Sequence, residues 1–199
     1  MLIPNIGLSL PPLSLPLANL DEGGLLVQQI EQQLNRDALP QNCRYFHGTQ
    51  LRNLEAILQS RALVPFSLQP GRGQHADPVH GGRAVSLTDR QELHFACCYA
   101  RQPRGRGENT EIPLLLGVNL TPEQTSAGDR VIEALYDERQ SFTDYYHRGR
   151  IALENITLMV VPERHMAPLE KKLQQTLGEQ ARDITKLTFR EIGLGAWFF

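Results

Sequence analysis

Lysine is scarce in this chain. Of its 20 basic residues only Lys171, Lys172 and Lys186 are lysines, so everything before position 171 carries its positive charge on arginine. A GC-rich genome accounts for such a bias. A more specific reading is a protein that avoids modification of its own lysines, whose amines are the usual targets of acylation and ubiquitination. Cysteine is sparse too, and the three present, Cys43, Cys97 and Cys98, are odd in number with two adjacent. That is a poor disulfide framework and predicts reduced thiols in a reducing compartment. No apolar run is long enough to span a bilayer. The apolar N-terminus lacks a basic region and is broken by Pro4, Pro11, Pro12 and Pro16, so neither a membrane span nor a cleavable secretory signal is expected, and the protein reads as soluble. With a net charge of −2, the chain has no general attraction for nucleic acid or an anionic membrane.

What is present belongs to a globular protein. Hydrophobic residues make up 41% and charged residues 21% of 199 positions, which suits one domain with extensions. Residues 1 to about 20 read as an extended, proline-punctuated lead-in. Asp21 and Glu22, with Leu26, Ile30 and Leu34 at a spacing of four, predict a helix over about 22–36. Pro70, Gly71, Gly73, Pro78, Gly81 and Gly82 make 66–83 a long loop, and loops of that length in compact domains tend to be functional or disordered. His75 and His80 in that loop have no cysteine partner nearby, and no metal site is expected.

The most informative stretch is Arg44-Tyr45-Phe46-His47-Gly48-Thr49, followed by Leu51, Leu54, Ile57 and Leu58. It reads as strand, turn and amphipathic helix, with Gly48 at the turn and Thr49 placed to cap the helix. Further on, 84–88 reads as a strand and 91–100 as a helix. The apolar run Ile112 to Leu120 suits a central strand covered on both faces, and Ile156 to Val161 suits another. Pro122 to Gln140 reads as an irregular connection, with Val131, Ile132, Leu135 and Tyr136 as a short amphipathic piece. Leu169, Leu173 and Leu177 predict a C-terminal helix that Gly178 ends or interrupts. Ile184 to Phe189 is ambiguous, and Ala196-Trp197-Phe198-Phe199 is apolar enough to pack back onto the domain or a partner.

Taken in order, Tyr45-Phe46-His47-Gly48-Thr49, Asn53-Leu54-Glu55-Ala56-Ile57-Leu58, Ala62-Leu63-Val64-Pro65, and Ala84-Val85-Ser86-Leu87-Thr88-Asp89 leading to Tyr99-Ala100 resemble the ADP-ribosyltransferase fold. Within it they are similar to the branch whose first motif is a histidine on the first core strand, as in diphtheria-toxin-like and PARP-like enzymes. The resemblance covers about residues 41–162. It implies an α+β architecture: a split, bent, mostly antiparallel sheet of about six strands with flanking helices, the nucleotide lying in the cleft. The implied organisation is 1–40 as lead-in and N-terminal helix, 41–165 as catalytic domain, and 166–199 as a helical extension packing on it.

The resemblance also implies NAD as a substrate, and no metal. Removing nicotinamide develops positive charge on a ribose, so such a site needs groups that hold the donor still and offset a cation. By resemblance, His47 hydrogen-bonds a ribose hydroxyl and the backbone of Gly48 pairs with the nicotinamide amide, with Thr49 beside them. Tyr99 is the aromatic that stacks on nicotinamide; its plain alternative is a core tyrosine. Ser86 stands where PARP-like enzymes carry tyrosine, a departure toward the Ser-Leu-Thr arrangement of arginine-specific toxin-like relatives. Arg72 or Arg83 meets the pyrophosphate. Asp144 lies in the segment where these enzymes usually carry glutamate and is one methylene shorter, so Glu138 stands as the second candidate for the acid.

The leading expectation is therefore a mono-ADP-ribosyltransferase acting on a protein, such as a bacterial effector translocated into a host cytosol. Bacterial effectors that modify ubiquitin on threonine are similar in scale, and a shortage of lysine suits them. The alternatives are the same fold acting on an antibiotic, a nucleic-acid base or an RNA 2′-phosphate, a non-catalytic relative that binds NAD or protein, and a thiol enzyme using Cys98 and His94, four residues apart.

Overall fold

The computed structural model describes residues 20–65, 84–101, 112–132, 140–196 and 198, with the backbone alone at 20–26, 128–132, 140–142 and 144. The architecture is α+β. Helix α1 (Leu20–Gln33) leads to strand β1 (Tyr45–Gln50), helix α2 (Leu54–Ser60) and the short strand β2 (Ala62–Leu63). After these come β3 (Ala84–Asp89), α3 (Leu93–Arg101), β4 (Pro113–Val118), β5 (Ser126–Ile132) and β6 (Gln140–Arg148). The chain continues through β7 (Ile151–Ala152), β8 (Ile156–Val161), α4 (Met166–Leu177) and β9 (Thr185–Thr188).

Seven strands form one sheet in the order β5-β6-β3-β1-β4-β8-β9, and β2 pairs with β7 beside it. Every pair is antiparallel except β8 with β9. Alternation along the central strands sorts side chains to two faces, as a doubly covered sheet requires. Tyr45, Leu114, Leu116, Met159 and Val161 join Leu54, Ile57 and Leu58 of α2 and Leu169, Leu173 and Leu177 of α4 on one side. Phe46, Leu115, Leu158 and Val160 join Ile30 and Leu34 of α1 and Leu93, Ala96 and Cys97 of α3 on the other. Leu39, Phe189, Ile192, Leu194 and Phe198 share this second core, so residues before 41 and after 165 contribute to it along with the middle of the chain. Phe198 stacks on Phe189 at 4.0 Å, returning the apolar C-terminus to the core.

Two arginines tie the N-terminal segment to the start of α3. Arg90 donates through Nη1 to the carbonyl of Arg36 at 2.8 Å and through Nη2 to that of Pro40 at 2.6 Å. Arg36 reciprocates, donating from Nε to the carbonyl of Arg90 at 3.0 Å and from Nη2 to that of Gln91 at 2.9 Å. Planar guanidinium forks can satisfy several carbonyls at once, which suits a connection that lacks regular backbone pairing.

Several expectations change. Gly48 is not at a turn: β1 runs straight through it, pairing residue by residue with β4 from Tyr45↔Val118 to Gln50↔Pro113. Nor does Thr49 cap a helix. Its Oγ1 accepts a hydrogen bond from Asn53 Nδ2 at 2.9 Å, and a 3-10 turn over Leu51–Asn53 begins after Gln50. Of the segment read as an irregular connection, 126–132 is strand β5, paired at seven positions with β6. The ambiguous C-terminal segment contains β9 at the sheet edge, and α4 ends at Gly178, whose φ of 57° favours glycine.

Candidate active site

The sheet opens between β1 and β3. Antiparallel pairing joins them at Tyr45↔Asp89 and Phe46↔Thr88, and no further pair forms between the two strands among the described residues. From Leu87 back to Ala84, β3 instead pairs with β6, matching Leu87 to Tyr145 and Ser86 to Tyr146. His47 is the first β1 residue past the last paired position. Its Nδ1 lies 2.8 Å from the carbonyl oxygen of Ser86, so the imidazole bridges the two strands where their backbones part. A carbonyl can only accept, hence Nδ1 carries the proton and Nε2 of a neutral ring is an acceptor.

Gly48 is fixed by a neighbour far along the sequence. A Cβ there would collide with the carbonyl oxygen of Ala96 and lie 2.7 Å from the amide nitrogen of Ala100. Only glycine lets α3 rest its backbone on β1. The same helical turn, between Ala96 and Ala100, carries the half-buried Tyr99. His47, Gly48 and Ser86 are thus brought together, with Tyr99 on the turn of helix that covers Gly48, and Thr49 is held locally by Asn53.

The closed end of the split has its own polar cluster, which sequence reading passed over. Asp89 Oδ1 accepts from the backbone amides of Gln91 and Glu92, both at 2.9 Å, capping the approach to α3. The signal was available, since Thr88-Asp89 directly precedes a helical pattern. Tyr45 and Tyr145 pack ring to ring at 5.1 Å, and Thr125 Oγ1 donates to the Tyr45 hydroxyl at 3.1 Å. Partial burial, the Asp89 and Tyr45 charges and a hydrogen bond to Asp89 raise the Tyr145 pKa.

Asp144 lies in β6, its backbone opposite Gly128 of β5 and one residue before Tyr145; its side chain is outside the described part. Glu138, Arg72, Arg83, His75 and His80 fall outside the described residues. Among the described residues, no three His, Cys, Asp or Glu side chains are grouped as a metal site requires, and no helix is long and apolar enough to cross a membrane.

The two thiols of α3 are shifted away from the thiolate form. Burial pushes the Cys98 thiol up to about 12 and raises Cys97 well above its ordinary value. A nucleophilic cysteine needs the opposite shift. His94 is buried against Phe95, ring centroids 4.3 Å apart.

No protein-family profile matches the chain, and no curated protein matches it. Among solved structures it is similar to DarT of Thermus sp. 2.9 in complex with NAD+, at 13% identity, covering 80% of this chain and 99% of that one with a TM-score of 0.49. The same protein in complex with carba-NAD+ aligns at 12% identity over 81% of this chain and 100% of that one, TM-score 0.42. In complex with ADP-ribosylated single-stranded DNA it aligns at 11% identity over 80% and 98%, TM-score 0.42.

Proposed function

We propose that this chain is an ADP-ribosyltransferase that uses NAD as donor and releases nicotinamide. The observation that carries the reading is the His47 imidazole held across the opening between β1 and β3 by the Ser86 carbonyl. A histidine on the first core strand is the first motif of the family the sequence resembles, and His47 follows the last β1–β3 pair. Gly48 follows His47 on β1, with the α3 turn that carries Tyr99 packed against it. Bound NAD supplies a glycosidic bond whose cleavage develops positive charge on the ribose.

In this reading His47 accepts from a ribose hydroxyl at Nε2, its ring orientation fixed by the Nδ1 bond. The backbone of Gly48 pairs with the nicotinamide amide, with Thr49 next to it, and Tyr99 supplies an aromatic face. Ser86 holds His47 through its carbonyl. Asp144, or Glu138 in its place, provides the carboxylate that offsets the cation, and Arg72 or Arg83 meets the pyrophosphate. In this reading residues 41–165 form the catalytic segment, and the N-terminal helix and the C-terminal extension pack on it. No metal takes part in this scheme.

A protein acceptor remains the leading proposal, in keeping with an effector that acts on a host protein such as ubiquitin. A net charge of −2 gives no general attraction for nucleic acid. The test is incubation with NAD labelled in the adenylate part and a cell lysate, followed by separation of protein, nucleic acid and small molecules. Label on a discrete protein supports the proposal. Label on nucleic acid or a small molecule keeps the donor chemistry and overturns the acceptor, and no label in any fraction overturns the transferase reading.

A further inference from the structure

We propose that Tyr145, packed on Tyr45, is a positioning residue that sets the spacing between the strand carrying His47 and the strand carrying Asp144. The inference rests on the reading that these two strands flank an NAD site. Strands β1 and β6 do not pair with each other; β3 lies between them. Two residue pairs join β3 to β1, so backbone hydrogen bonding alone leaves the far ends of the strands free to splay. Across that short junction Tyr145 reaches over β3 to meet the Tyr45 ring at 5.1 Å.

Other contacts converge there. Asp89, opposite Tyr45 in register, caps the amides before α3, and its charge acts on the Tyr145 hydroxyl. Thr125, just before β5, holds the Tyr45 hydroxyl at 3.1 Å. The β5–β6 hairpin is thus fastened to β1 at one end of the split. Tyr45 is two residues from His47 and Tyr145 is adjacent to Asp144, so a shift at the ring contact moves the two strands relative to each other directly at the proposed site. Misplacement of a reacting group by about 1 Å can cost roughly a hundredfold in rate.

The experiment compares full-length wild type, Tyr145→Leu, Tyr145→Phe and Tyr45→Phe in steady-state nicotinamide release, with NAD affinity by calorimetry and amide exchange of 84–87 and 145–148. Tyr145→Leu should lower kcat about tenfold to a hundredfold while KM for NAD stays within about twofold. Amides of 145–148 should exchange faster in it, with those of β4 and β8 unchanged. Tyr145→Phe keeps the ring and should recover most of kcat, and Tyr45→Phe, which loses the Thr125 bond, should fall between them. Unchanged kcat in Tyr145→Leu, or equal loss in the Leu and Phe variants, overturns the positioning role while leaving the transferase reading intact. Should Tyr145→Leu fail to fold, unaltered kcat and exchange in both phenylalanine variants overturn it equally. A wild-type chain that neither binds NAD nor releases nicotinamide removes the functional reading, and this inference with it.

Discussion

His47 and Ser86 are joined across two strands that have stopped pairing: the imidazole Nδ1 meets the Ser86 carbonyl at 2.8 Å, one position beyond the Phe46↔Thr88 pair. The side chain takes over where the backbone ladder ends. The contact fixes the proton on Nδ1, because a carbonyl can only accept.

With the bond to the Ser86 carbonyl removed, His47→Ala should cost about 1 kcal/mol of stability and leave the fold intact. Urea unfolding measures it. A loss of several kcal/mol would make His47 chiefly a structural residue.

Gly48→Ala should behave differently. The added methyl meets backbone atoms of Ala96 and Ala100, which cannot rotate aside. Overpacking of this kind costs about 1–3 kcal/mol, and α3 with Tyr99 must move away from β1. Thermal unfolding together with NAD binding tests this, and an unaltered Tm would contradict the close packing.

Arg90→Ala removes the guanidinium that donates to the carbonyls of Arg36 and Pro40, which keep the Leu39 and Cys43 amides as donors, and should cost about 1–3 kcal/mol. Arg90→Lys should recover only part, since a single ammonium cannot reproduce the fork. Denaturant midpoints of the three proteins decide it; equal stability of Lys and Arg forms would show that charge alone matters.

Stability should fall in mild acid through His94. Burial, with a smaller contribution from Arg36, lowers its pKa below the ordinary 6.5, against the opposing pulls of Glu31, the Gln91 backbone and Asp89. Its Nδ1 has no hydrogen-bond partner among the described residues, and Nε2 lies 3.6 Å from Glu92 Oε2. The folded chain therefore refuses a proton that the unfolded chain accepts, so stability present above pH 6.5 is lost as pH falls from that value through the lower pKa of the folded state. Glu92, whose carboxyl burial raises, pulls the other way. Urea midpoints between about pH 8 and pH 5 for wild type and His94→Leu separate the two, since the variant should lose the fall assigned to His94. Parallel curves would contradict it.

How far the sequence led can be judged element by element. Strands β4 and β8 were legible because their apolar runs are long and both faces are covered. Helix α2 was legible from its spacing. The β5–β6 hairpin was obscured because Val131, Ile132, Leu135 and Tyr136 mimic a helical period, and because Ser126 to Arg130 holds few strand formers; pairing with β6 overrides that weak preference. Gly48 looked like a turn because its actual constraint, α3, arrives from some fifty residues further on. Apart from the Asp89 cap, the cluster of Tyr45, Asp89, Thr125 and Tyr145 has no signature in the chain, since its members meet only after β1, β3 and β6 have assembled.

The most direct test of the account is nicotinamide release from NAD by the purified chain, measured beside His47→Ala and Asp144→Asn and Glu138→Gln variants of confirmed fold. The account predicts release by the wild type, its loss in His47→Ala, and its loss in one of the two acid variants, with Asp144→Asn expected. Release that survives unchanged in His47→Ala, or a wild type that binds no NAD and releases nothing, would contradict it.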